Sequence, residues 1–166
     1  MAYGGGMPDT ASASRSDEER LATWSALATL LEWLPAALDA QLLRDAGLTH
    51  FEYGILFALS HAENGTLRMS TLASHANSSL SRLSRAVARL EGRGWARRYA
   101  DPVDGRFTLA ALTAEGRAKE QEAAPGHVEL VDRLVFDALT ASQARQLRDI
   151  CTRITTAIRP DGRWQP

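Results

Sequence analysis

The sequence predicts a mainly α-helical chain with one small β-hairpin wing, an α+β class. Apolar residues recur every three or four positions through most of its 166 residues. Capping spacings, Ser or Thr followed three residues later by Glu or Gln, precede several of those runs. Two short extended segments flank one turn-rich stretch at 101–106, as in a hairpin. With 45% hydrophobic and 23% charged residues the chain can build a core, which excludes collagen-like and wholly disordered classes.

Residues 1–15 are rich in Gly, Ser, Ala and Thr and are expected to form a disordered tail. Ser16 and Glu19 make a capping-box spacing that opens a long helix carrying Leu21, Trp24, Leu27, Leu31, Leu34, Leu38 and Leu42. Pro35 should kink it, because proline removes one backbone donor and crowds the preceding turn. Ala46-Gly47 ends it. Thr49 and Glu52 start a second helix, which runs to about Ser60. An extended piece, Thr66 to Met69, leads to Ser70 as the cap of a brief helix, and Asn77-Ser78 form a turn. The next helix spans about Ser79 to Glu91 and stops at Gly92-Arg93-Gly94.

Trp95–Ala100 and Phe107–Leu112 are the two hairpin strands. Thr113 caps a further helix, which Pro125-Gly126 should interrupt. Thr140 and Gln143 precede the last helix, whose Leu147, Ile150, Ile154 and Ile158 share one side before Pro160-Asp161-Gly162 stop it. Residues 161–166 are a short tail.

Several function classes are set aside. No uninterrupted apolar run reaches eighteen residues, so no membrane-spanning helix is expected. The first twenty residues lack the apolar core of a secretory leader. The lone Cys151 cannot form an internal disulfide, in keeping with a reducing cytoplasm. A phosphate-binding glycine loop, a nucleophile elbow and paired carboxylates are all missing, so the chain is not expected to be an enzyme or to need a cofactor. His50, His61, His75 and His127 show no metal-ligand spacing, and no metal site is expected. Cys151 falls beside the last helix's apolar stripe and is expected to be a buried interface thiol.

Charge points to the function. The net charge is -1, yet residues 68–106 hold eight arginines against Glu91, Asp101 and Asp104. The remainder is net acidic, so the chain is dipolar and can present one basic surface to a polyanion. In the 79–91 helix, Leu80, Leu83, Val87 and Leu90 fall within about 80° of one another, whereas Ser81, Arg82, Arg85 and Arg89 fill an opposite sector of about 100°. Arginine can fork onto guanine O6 and N7, serine can bond phosphates or base edges, and the helix N-terminus at Ser78 and Ser79 favours phosphate. Arg97 lies near the base of the hairpin and Arg106 at its tip, where an arginine can enter a narrow minor groove. Helix, turn, helix and hairpin in this order form a winged helix-turn-helix.

The run LRMSTLASHANSSLSRLSRAVARLEGRGWARRYADPVDGRFTLAALTAEGRA resembles the core of the MarR (multiple antibiotic resistance regulator) family. The resemblance rests on Arg89-Leu90-Glu91 leading into Arg93-Gly94-Trp95 and on Arg97-Arg98. It continues in the Asp101-to-Arg106 tip and in Leu112-Thr113 with Gly116-Arg117. It extends over nearly all of residues 17–159, the flanking helices matching in number and order. It implies a homodimer in which residues 16–47 and 113–160 form a helical dimerisation region, and residues 48–112 form the winged DNA-binding domain. It also implies a regulator, usually a repressor, that leaves its double-stranded operator when a small and often phenolic molecule binds between the two regions. The chain departs from the family at Gly105, where a second wing arginine is common.

Ser78, Ser79, Ser81, Arg82, Arg85, Arg97 and Arg106 are the expected DNA contacts. Trp24, Trp33, His50 and Tyr53 are the expected contacts of an aromatic effector. Two alternatives remain: a winged-helix module that docks on a protein, and a regulator that binds DNA without ligand control.

Overall fold

A computed structural model describes residues 10–158, with side chains from Ser16 onward. Its elements are α1 (Thr10–Ala46), α2 (His50–Ser60), a 3-10 turn (Glu63–Gly65), β1 (Thr66–Arg68), α3 (Met69–His75), α4 (Leu80–Gly92), β2 (Ala96–Ala100), β3 (Thr108–Leu112), α5 (Ala114–Val131), a π-helical turn (Asp132–Phe136) and α6 (Ala141–Ile158). The mainly helical class and the wing are as the sequence predicts. The chain divides into two units at 37/38.

The first unit, within the described residues, is the leading part of α1. This helix already spans 10–15, which the sequence assigned to the tail, and Ser16 is a helical position rather than a cap. Residues 10–15 contain neither glycine nor proline, so nothing stops the helix from extending upstream. Residues 1–9 of the expected tail lie outside the described residues, as do Pro160 and the 161–166 tail. Leu21, Trp24, Leu31 and Trp33 are 60–74% exposed. Counting uninterrupted apolar runs missed one property of this helix. Within Ser16–Ala46 an eighteen-residue stretch is apolar enough, by length and composition, to cross a membrane, with a mean hydropathy of 1.3.

The second unit holds the core. Leu42 at the end of α1, Leu48, Ile55, Leu56 and Leu59 around α2, Leu72 in α3, and Leu83, Val87 and Leu90 in α4 are fully buried. Gly47, at φ +65°, turns the chain from α1 into α2. Both bonds of the Thr49–Glu52 capping box form. Asn77, at φ 48°, makes the tight turn between α3 and α4.

Sequence expectations give way in four further places. Arg68, not Ser70, occupies the α3 N-cap position, and Ser70 lies within the first turn. Leu80 is 53% exposed, because the first turn of α4 overhangs the core that Leu83 enters. Thr66–Arg68 is a full sheet member, pairing antiparallel with β3, so the sheet has three strands in the order β1-β3-β2. Finally, α5 is unbroken through Pro125, where an interruption is expected; α1 continues through Pro35, the position of its expected kink, as one helix. Both prolines are exposed, so each frees one carbonyl on the water side, where solvent satisfies it.

Glycine is required at Gly116. A Cβ there would stand 1.9 Å from the Trp95 carbonyl oxygen, so α5 and the start of the hairpin meet backbone to backbone. Thr113 fixes the same junction, accepting from Gly116 N and donating to the Gly94 carbonyl.

Candidate nucleic-acid interface

Helix α4 begins at Ser79, whose Oγ accepts from Arg82 N at 3.3 Å. Ser79 is thus the N-cap. Ser78 is buried, and its Oγ donates to the Ser79 carbonyl, so its side chain belongs to the turn and not to an open surface. Ser81, Arg82 and Arg85 are exposed on the face opposite Leu83, Val87 and Leu90.

The eight arginines of 68–106 separate by partner. Arg89 Nε donates to Glu52 Oε1 at 2.8 Å, and Arg98 grips both Glu91 and the Ser84 hydroxyl. Arg68 bonds Asp101, and Arg93 donates to the Gly47 carbonyl. These side chains fasten α2, α4, β1 and the hairpin together. Arg106 pairs with Asp104 at 2.7 Å but is 84% exposed, so water competes for that pair and a phosphate can replace it at little cost. Arg82, Arg85 and Arg97 have no carboxylate partner among the described residues. Arg82 lies over the Phe51 ring and Arg97 over Tyr99.

The wing tip is organised from inside. The buried Asp101 carboxylate accepts from Val103 N and Asp104 N as well as from Arg68, and these bonds hold it below its ordinary pKa. Asp104 is lowered chiefly by Arg106. For Glu52 burial pushes the carboxyl up, but the bonds from Arg89 and Thr49 N outweigh it, and the net shift is downward. A groove of about 300 Å³ runs between the α2 N-terminus and α4, lined by Asp39, Thr49, Phe51, Arg82, Arg85 and Arg89. Asp39 caps α2 there, accepting from His50 N.

A second cavity, of about 430 Å³, lies between α2, α5 and the π-turn. Of the four residues singled out in the sequence, His50 and Tyr53 line it, with Phe57, His127, Val131 and Phe136. Trp24 and Trp33 belong to the first unit and are not among its lining residues. His127 escaped sequence reasoning because no spacing links it to His50, yet the two rings lie 5.4 Å apart and His127 lies 4.6 Å from Tyr53. His127 Nδ1 is buried with no hydrogen-bond partner among the described residues. Burial lowers the pKa of both histidines; the His50 charge adds to this at His127, while Asp39 partly offsets it at His50. No group of three metal-ligating side chains occurs among the described residues. Cys151 is exposed in the single chain; the burial expected of it is at an interface between chains.

Residues 46–106 match the MarR family model. Sco3205 from Streptomyces coelicolor, a MarR family transcriptional regulator solved in complex with DNA, is 42% identical with a TM-score of 0.84, over 87% of this chain and 90% of that one. AbsC, a MarR family regulator from the same organism, is 29% identical with a TM-score of 0.79, over 95% and 99%. The regulator BldR from Sulfolobus solfataricus is 25% identical with a TM-score of 0.70, over 82% and 96%. No curated protein matches the chain.

Proposed function

The chain belongs to the MarR family of transcriptional regulators, and we propose that it is a cytoplasmic repressor binding a pseudo-palindromic operator as a homodimer. The observation that carries this reading is that Arg82 and Arg85 of α4 and Arg97 of the wing have no carboxylate partner among the described residues, whereas the third α4 arginine, Arg89, is committed to Glu52. Helix α4 enters the major groove, where Arg82 and Arg85 reach base edges and Ser81 and the Ser79 end of the helix meet phosphate. The wing follows the backbone with Arg97 and places Arg106 in the minor groove. Ser78 acts only through the turn. The DNA-bound relative at 42% identity supports the DNA-binding reading.

The dimer is argued from unsatisfied apolar surface. Helix α6 has no buried residue, yet Ile150, Ile154 and Ile158 are exposed along it, as are Leu134 and Phe136 before it. Leu21, Trp24, Leu31 and Trp33 of α1 are in the same condition. A second copy covering these residues removes a large apolar area from water. Trp24 and Trp33 then act at the subunit interface rather than as ligand contacts.

The cavity at His50, Tyr53 and His127 takes a small aromatic effector, which stacks on these rings and bonds the free His127 Nδ1. His50 adjoins Phe51 and Glu52 in the first turn of α2, and those two touch Arg82 and Arg89. Occupation of the cavity thereby reaches the recognition helix within one helical turn.

Footprinting on DNA that the protein selects from a random pool tests this reading, paired with sedimentation analysis. Two protected half-sites about 10 base pairs apart, bound by a dimer, are expected. A monomer protecting one site would contradict the proposed assembly.

A further inference from the structure

We propose that Phe51 is a positioning residue for DNA recognition, holding the Arg82 guanidinium at the angle from which it reaches the DNA. The inference rests on the α4 reading above and concerns how that helix is tuned. Phe51 is the second residue of α2, half-buried against the core, and its ring lies 4.3 Å from Arg82 Cζ. A guanidinium that rests one face on an aromatic ring keeps its in-plane N–H groups available for a two-pronged contact to guanine or phosphate. Nothing else fixes the head group, since Arg82 has no side-chain hydrogen bond or ion pair among the described residues. The other charged groups lining the groove are Asp39, whose carboxylate accepts from His50 N, Arg85, and Arg89, which is held by Glu52. Asp39 would draw an untethered Arg82 inward, so the ring also keeps the cation from collapsing onto α2.

A free arginine loses rotamer freedom on docking, and a stacked one has lost part of it beforehand. Phe51 should therefore influence operator affinity only while Arg82 is present. The test is a double-mutant cycle by fluorescence anisotropy, using the duplex that the wild-type protein selects from a random pool and a scrambled duplex as reference. Phe51→Leu should weaken the selected duplex about threefold and the scrambled one hardly at all. In the Arg82→Ala background the same change should have no further effect. Replacing Phe51 by pentafluorophenylalanine keeps the shape but reverses the ring's polarity, and should reproduce the loss even if the leucine variant folds poorly. Phe51→Trp should restore or improve binding.

An equal Phe51→Leu loss with and without Arg82 would overturn the proposal, as would wild-type binding by the fluorinated protein. If Arg82→Ala alone left binding unchanged, the α4 reading would fall as well, so the two failures are distinguishable.

Discussion

Arg89 reaches across 37 residues of sequence to donate its Nε–H to the buried Glu52 carboxylate at 2.8 Å, so the last arginine of α4 is a clamp to α2. Glu52 meanwhile closes the capping box with Thr49, and one carboxylate thus serves the start of α2 and its attachment to α4. Arg89→Ala would leave that carboxylate, 4% exposed, with only the Thr49 N–H. Because the arginine itself is half exposed, the expected cost is about 1–2 kcal/mol. Urea unfolding should show the loss, and Glu52→Gln should remove most of the further effect of Arg89→Ala.

Gly116 is the position where a single methyl group should do most harm. Its added carbon would overlap the Trp95 carbonyl, which is backbone and cannot turn aside. Gly116→Ala should cost about 2–3 kcal/mol by forcing α5 away from the hairpin. A melting temperature equal to wild type would refute the close approach.

The reach of sequence reasoning follows the range of each interaction. Thr49–Glu52 and Thr140–Gln143 were visible because a cap needs only residues three apart. The hairpin showed in its turn residues. Glu52–Arg89 and Arg68–Asp101 were not visible, since nothing local marks partners more than thirty positions away. Arginines that share one helical face therefore looked equivalent, although folding assigns Arg89 to a carboxylate and leaves Arg82 and Arg85 without one among the described residues. His127 joined His50 only through the packing of α5 on α2. Pro125 misled because it lies on the water side of α5, where solvent satisfies the carbonyl it frees and the helix runs on.

Acid should weaken the fold through the histidine pair before it reaches the carboxylates. Burial holds His50 and His127 below their ordinary value of 6.5, so the folded protein keeps them neutral where the unfolded chain takes up protons. Their contribution is complete above about pH 6.5 and declines as pH falls toward and through the lowered folded values. Glu52, Asp101 and Asp104 are lowered as well, but their stabilisation is lost only below the ordinary carboxylate range. Melting temperature should therefore fall between about pH 7.5 and 5.5, and His127→Phe should flatten that fall. An unchanged slope would show that the pair does not titrate there.

Arg106 should act as a general contact and not as a reader of bases in the major groove. Arg106→Ala should weaken selected and scrambled duplexes alike and lower the slope of log affinity against log salt by about one. Loss of discrimination without a change in slope would contradict a phosphate or minor-groove role for the tip.

The central claim is that α4 reads DNA through Arg82 and Arg85, and anisotropy on the duplex selected by the wild-type protein tests it most directly. Arg82→Ala and Arg85→Ala should each cost about 1–3 kcal/mol on that duplex and far less on a scrambled one. Arg148→Ala, which removes an exposed α6 cation, should bind as wild type does. Undiminished, selective binding by both α4 variants would contradict the account and place recognition elsewhere on the chain.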